Sequence, residues 1–93
     1  MITIIDAYID SMLGKYKIRT VTAYKHDLIH FSNWVTAQHA LIDIQNLSVS
    51  IVADYFEYIL KNTVLTTTIR RKRAALRNFL DFCHKQNYNN LVL

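Results

Sequence analysis

The run Thr20-Val21-Thr22-Ala23-Tyr24-Lys25-His26-Asp27-Leu28-Ile29-His30-Phe31-Ser32-Asn33-Trp34-Val35 decides the fold class. Stepped at about 100° per residue, Val21, Tyr24, Leu28, Phe31, Trp34 and Val35 fall within an arc of about 140°, with Thr22, His26, His30 and Asn33 opposite. This is an amphipathic helix, and the pattern extends from about Arg19 to Gln38. Asp27 stands near the edge of the apolar arc. There its carboxylate either accepts from a backbone N–H or pairs with a basic residue.

Upstream, residues from Ile2 to about Leu13 repeat the pattern, with Ile5, Ile9, Met12 and Leu13 on one side and Asp6 and Asp10 on another. Gly14, the only glycine, stands where a helix is followed by a left-handed residue. Downstream, Ser48 is a good N-cap for a third helix running to about Lys61, with Val52, Tyr55, Phe56, Ile59 and Leu60 as its stripe. Residues 47–53 are rich in β-branched side chains, the one place where a strand competes, but Asp54 onward continues the helical spacing. After Asn62-Thr63, any of Thr66, Thr67 and Thr68 has the side chain to cap a fourth helix reaching about Gln86. Ile69, Leu76, Phe79, Leu80 and Cys83 face its inner side. Four helices with short connections predict an all-α, compact four-helix bundle.

The chain has 93 residues, enough for a single domain over 1–93. Hydrophobic residues make up 52% and charged residues 19%, which excludes disorder. One glycine and no proline exclude collagen-like, linker-like and turn-dense β chains. The single cysteine, Cys83, cannot form an internal disulfide and suits a reducing compartment. With no signal, lipidation or membrane-spanning pattern, the expectation is a cytoplasmic protein with no membrane partner.

The formal net charge is +4 and the sequence pI about 9.4. Its distribution matters more than its size. Residues 1–13 are acidic, 20–38 neutral, and 39–62 slightly acidic; the excess lies in Lys15, Lys17 and Arg19 and in the cations of residues 63–93. Arg70, Arg73 and Arg77 stand at i, i+3, i+7 and share a stripe about 60° wide, flanked by Arg71 and Lys72. Such crowding is relieved by an external polyanion, phosphate above all, or by solvent and by neighbours such as Asp81, Asp54 and Glu57.

Two blocks carry a family resemblance. Thr20-Val21-x-x-Tyr24-x-x-Asp27-Leu28-x-x-Phe31-x-x-Trp34 is similar to the second helix of the N-terminal core-binding (SAM-like) domain of tyrosine recombinases and phage-type integrases. Thr68-Ile69-Arg70-Arg71-Lys72-Arg73-Ala74-Ala75-Leu76-Arg77-Asn78-Phe79 resembles that domain's fourth helix. The resemblance covers nearly the whole chain. It implies sequence-directed binding of double-stranded DNA in integration or site-specific recombination, with the second and fourth helices approaching the major groove. By position it assigns DNA contacts to Lys25, His26, Arg71, Lys72 and Arg77. The charge stripe adds Arg70 and Arg73, and Lys17 and Arg19 suit phosphate contact at a helix N-terminus.

Two departures stand out. Lys17 replaces the usual serine cap of the second helix, leaving its start open. Arg73 replaces an apolar residue, and two roles remain open for it: a DNA contact, or a stem laid along the core with its head in water.

The resemblance places strand cleavage in a separate C-terminal catalytic domain absent from residues 1–93. No catalytic residue is therefore expected here, and the six tyrosines read as core or rim residues. His26 and His30 have the i, i+4 spacing of a metal-binding helix but lack a third ligand, so neither metal nor cofactor is expected. The first helix packs either on its own bundle or on a neighbouring protomer assembled on DNA. The alternative from another class is a helical protein–protein interaction module whose basic face meets an acidic partner.

Overall fold

In the computed structural model, which describes residues 1–89 and 91, α1 spans Ile2–Met12, α2 Ile18–Gln38, α3 Val49–Asn62 and α4 Thr66–Lys85. A single 3-10 turn, Ile44–Asn46, lies between α2 and α3. Among the described residues there is no strand, and residues 49–53 belong to α3. Ser48 caps α3 as its type predicts, its Oγ accepting from the Ile51 N–H at 3.2 Å. Gly14 has φ +81°, and the turn it forms lets the Lys15 and Tyr16 N–H groups reach the Met12 carbonyl.

The two longest helices make the centre. α2 brings Leu28, Phe31 and Val35, and α4 brings Ala75, Leu76, Phe79, Leu80 and Cys83, all buried. α1 lays Ile5, Tyr8, Ile9 and Met12 over both; the Tyr8 ring lies 5.7 Å from Phe79 and 5.2 Å from Phe82, centroid to centroid. The inner face of α1 is thus used within its own bundle. α3 closes the other side with Val52, Tyr55 and Ile59, and Tyr55 meets Phe31 edge-on at 4.9 Å. Burial pushes the Cys83 thiol up to about 12, so it behaves as a small apolar side chain.

The apolar stripes are narrower than periodicity suggests. Tyr24 and Trp34 are half-buried at the rim, while Leu13 and Leu60 are exposed. Trp34 stands at the edge of α2's arc and Tyr24 within it, and both have polar tips that suit a partly wet position.

The helix beginnings hold one correction, at α4, and settle the open start of α2. None of the three threonines caps α4: Leu65 takes the extended cap conformation and Thr66–Thr68 lie inside the helix, so no side chain covers its first N–H groups. α2 starts after Lys17, which has no acceptor to offer, and its first turn is also uncapped. By contrast, the exit of α4 is firmly closed. Asn87 adopts a left-handed φ of 61°, its N–H bonds to the His84 carbonyl, and the Tyr88 N–H reaches the Cys83 carbonyl at 2.8 Å. Asn89, buried, then donates to the Ile44 carbonyl at 3.2 Å, tying this exit to the 3-10 turn. At that turn, Asp43 bonds both the Ile44 N–H and the Met1 ammonium, which hold its carboxyl below the usual range.

Two substitutions separate core from cap. Phe79→Ala, at a fully buried ring, is expected to cost about 3–5 kcal/mol of unfolding free energy in urea. Ser48→Ala is expected to cost about 1 kcal/mol by the same measurement.

Candidate nucleic-acid interface

The sequence block on α2 contains one charged residue that is buried, Asp27, with its side chain only 2% exposed. A carboxylate in that position needs partners, and α4 supplies two. Arg71 donates from Nε to Oδ2 at 2.8 Å and from Nη2 to Oδ1 at 2.9 Å, a two-pronged pair. Lys72 Nζ approaches Oδ1 at 3.3 Å. Of the two roles open to Asp27, pairing with basic residues is the one the structure shows. The hydrogen bonds from Arg71 to Asp27 in turn raise the guanidinium pKa above its ordinary value.

The sequence-predicted contacts therefore separate into groups. Lys72 points inward, its side chain 14% exposed, toward Asp27. The sequence carried a signal for this: Lys72 is three residues after Ile69 and four before Leu76, both on the inner side of α4. Arg71 lies at the margin, held by Asp27 and 44% exposed. Arg73 leaves the stripe and lies against α3, its guanidinium carbon 5.2 Å from the centre of the Phe56 ring. Arg70 and Arg77 are exposed on the outer face, as are Lys17, Arg19, Lys25 and His26 on or before α2. Among the described residues none of these six pairs with a carboxylate within 4.0 Å. Asp81, a candidate partner for Arg77, pairs instead with Lys85 at 2.9 Å.

The electrostatics compound this exposure. α2 and α4 both begin without a side-chain cap, and Lys17 and Arg19 crowd the start of α2, whereas the first turn of α4, residues 66–69, holds no cation and Arg70 opens the second. A cation near the positive end of a helix dipole loses about 0.3–1 kcal/mol. A helix beginning of this kind favours an external anion. Lys15 is a basic residue that the position-by-position reading left out. It lines one cleft with Tyr16 and with Asn78, Asp81 and Lys85 of α4, the last two paired with each other. The signal was its place in the basic run before α2.

His30 does not lie free on the outer side. Its Nδ1 edge is hydrogen-bonded to the Tyr55 hydroxyl at 2.7 Å, although the rest of the residue is exposed. Burial of that edge, and then Lys72, push its pKa below 6.5, with Asp27 opposing. Asp27 and His30 are thus both engaged with other groups, and no cluster of three metal-ligating side chains occurs among the described residues. Nor is any described helix long and apolar enough to cross a membrane.

The fold and the two helix blocks agree with the comparisons. The family described as Phage integrase, N-terminal SAM-like domain matches residues 5–87, and the chain belongs to it. It is similar to the tyrosine recombinase XerD of Rickettsia bellii, 22% identical over 89 residues that cover 94% of this chain and 28% of that protein. It is also similar to the tyrosine recombinase XerC of Listeria monocytogenes, 31% identical over 75 residues that cover 81% of this chain and 25% of that protein. The XerD of Rickettsia conorii is 28% identical over 69 residues, 74% of this chain and 22% of that protein. The chain spans about a quarter of the length of these relatives. No solved structure gives a significant match.

Arg71→Ala leaves the buried Asp27 with Lys72 alone, and is expected to lower stability by about 2–3 kcal/mol in urea denaturation. Arg70→Ala, exposed and unpaired, is expected to stay within about 0.5 kcal/mol of the parent. Because the folded His30 pKa lies below its unfolded value, the unfolded chain binds more protons in that window. The contribution is present above about pH 6.5 and lost as pH falls through that value toward the folded pKa. His30→Gln is expected to flatten this part of the stability–pH curve.

Proposed function

We propose that residues 1–93 bind double-stranded DNA as the non-catalytic, core-binding part of a tyrosine recombinase or integrase, acting in DNA integration or site-specific recombination. The observation that carries this is the exposed, unpaired Arg70 and Arg77 on the outer face of α4, in a chain of the integrase N-terminal family. Lys17, Arg19, Lys25 and His26 of the α2 side, and Lys15 and the margin residue Arg71, extend the cationic surface. Arg73 belongs to it through the edge of α3. Lys72 contributes from within, by balancing Asp27.

The mechanism is neutralisation of phosphates with release of their counterions, together with a few groove contacts from α2 and α4. The body measures 33 Å across its two long axes, close to one turn of duplex at about 34 Å. A footprint of that size supports about five phosphate contacts rather than an extended wrap. Strand cleavage is read as belonging to the rest of the relatives' length. Supporting this, Tyr8 and Tyr55 are core phenols, the first pushed up to about 12 by burial and the second higher still, which opposes their use as nucleophiles.

The test is a duplex titration at several salt concentrations. With about five phosphates neutralised, log K is expected to fall against log salt with a slope of about −4 to −5. Arg70→Ala combined with Arg77→Ala is expected to weaken binding at least tenfold while helical circular dichroism and the melting temperature stay unchanged. A slope near zero, or equal competition by a simple polyanion such as polyglutamate, turns the conclusion toward the acidic-protein partner.

A further inference from the structure

Most exposed cations on this surface are free to move; Arg71 is not. Its Nε–H and one Nη2 N–H are taken by the two oxygens of Asp27, a carboxylate buried in the body of the domain. A guanidinium carries five N–H donors, so the two on Nη1 and the outer one on Nη2 remain. With 44% of the side chain open to solvent, they have room to meet a ligand. Asp27 would ordinarily cancel the charge it holds. Here Lys72, nearly enclosed, sits 3.3 Å from the same carboxylate. The trio of two cations and one anion keeps a net positive charge, carried at the surface by Arg71.

Resting on the DNA-binding reading above, we propose that Asp27 is a positioning residue: with Lys72 as its inner counter-ion, it fixes Arg71 so that the free edge of the guanidinium meets a phosphate of duplex DNA. A fixed fork binds phosphate without first ordering a long side chain, and that ordering otherwise lowers affinity by up to about tenfold. The arrangement also accounts for an acid within a DNA-facing helix pair. Simple electrostatics disfavours a carboxylate there, whereas positioning requires it.

The two views differ in sign, and this makes the test sharp. Asp27→Asn removes a negative charge and, on charge alone, tightens binding to a short mixed-sequence duplex and steepens the salt slope. Positioning predicts the reverse: about three- to tenfold weaker binding, with a slope shallower by about 0.9 as one phosphate contact is lost. Arg71→Lys keeps the charge but loses the fork, and is expected to weaken binding to the same extent. Both are measured below their melting temperatures, with circular dichroism confirming the fold, so that a purely structural role lowers the melting temperature but not the affinity of the folded protein. Unchanged or tighter binding by folded Asp27→Asn overturns the proposal. Should that variant fail to fold, the arginine Nε–H spectrum of the parent domain takes its place. One Nε–H protected from exchange in the free protein, and shifted by duplex, is expected; a protected signal that duplex leaves unmoved overturns it. A parent domain that ignores duplex altogether overturns the DNA-binding reading instead, and this role with it.

Discussion

Asp27 has its carboxylate almost wholly out of water, in a position that only paired, hydrogen-bonded charges tolerate. Its partners come from two successive residues of α4, forty-four and forty-five positions along the chain. Apolar packing between α2 and α4 is broad and would accept small slides or rotations, since Leu28, Phe31, Leu76 and Phe79 have no directional preference strong enough to forbid them. The ion cluster does. Placing Arg71 and Lys72 on Asp27 sets the rotation of α4 about its axis, and the rotation in turn sends Arg70 and Arg77 to solvent and Arg73 to Phe56. One buried acid thereby orders the core and aims the surface.

The same cluster shows what a sequence discloses and what it withholds. The four helices, the Ser48 cap, the Gly14 turn and the burial of Leu28, Phe31, Leu76 and Phe79 follow from spacing and residue type, which are local properties. Family membership followed from two spaced blocks read in order. Residue type does not locate the start of α4, because three consecutive threonines offer equal caps, and the backbone at Leu65 settles the choice without using any of them. The 3-10 turn at Ile44–Asn46 is too short to have a period. For the candidate contacts, lysine and arginine are read as outward, with Arg73 alone left open between DNA and the core edge. That rule fails for Lys72, whose partner lies on a distant segment, and the guanidinium of Arg73 lies over an aromatic face on α3. Pairing across the fold is not a local property, although the place of Lys72 between Ile69 and Leu76 hints at it.

The basic surface and the stability of the fold share residues in an uneven way. Arg70 and Arg77 are nearly free of structural duty, whereas Arg71 serves both the core and the surface. His30 adds a second polar link, joining α2 to α3 through Tyr55 and lying close enough to Lys72 and Asp27 to feel both charges. The contact of α2 with its neighbours is therefore not purely apolar. Two polar links, Tyr55 to His30 and Asp27 to Arg71 and Lys72, join α3 to α2 and α2 to α4, with no buried side-chain nitrogen or oxygen left unpartnered among the described residues.

The uncapped beginnings of α2 and α4 have a consequence for how the domain exists in solution. Both leave N–H groups without a side-chain acceptor, and α2 adds Lys17 and Arg19 beside them, so the free domain holds unrelieved repulsion at the start of α2. Anything that brings negative charge to either beginning stabilises the folded form over the unfolded one, by mass action. Ionic surroundings thus act as a loosely bound ligand, and the protein's melting behaviour is a property of the chain together with its counterions.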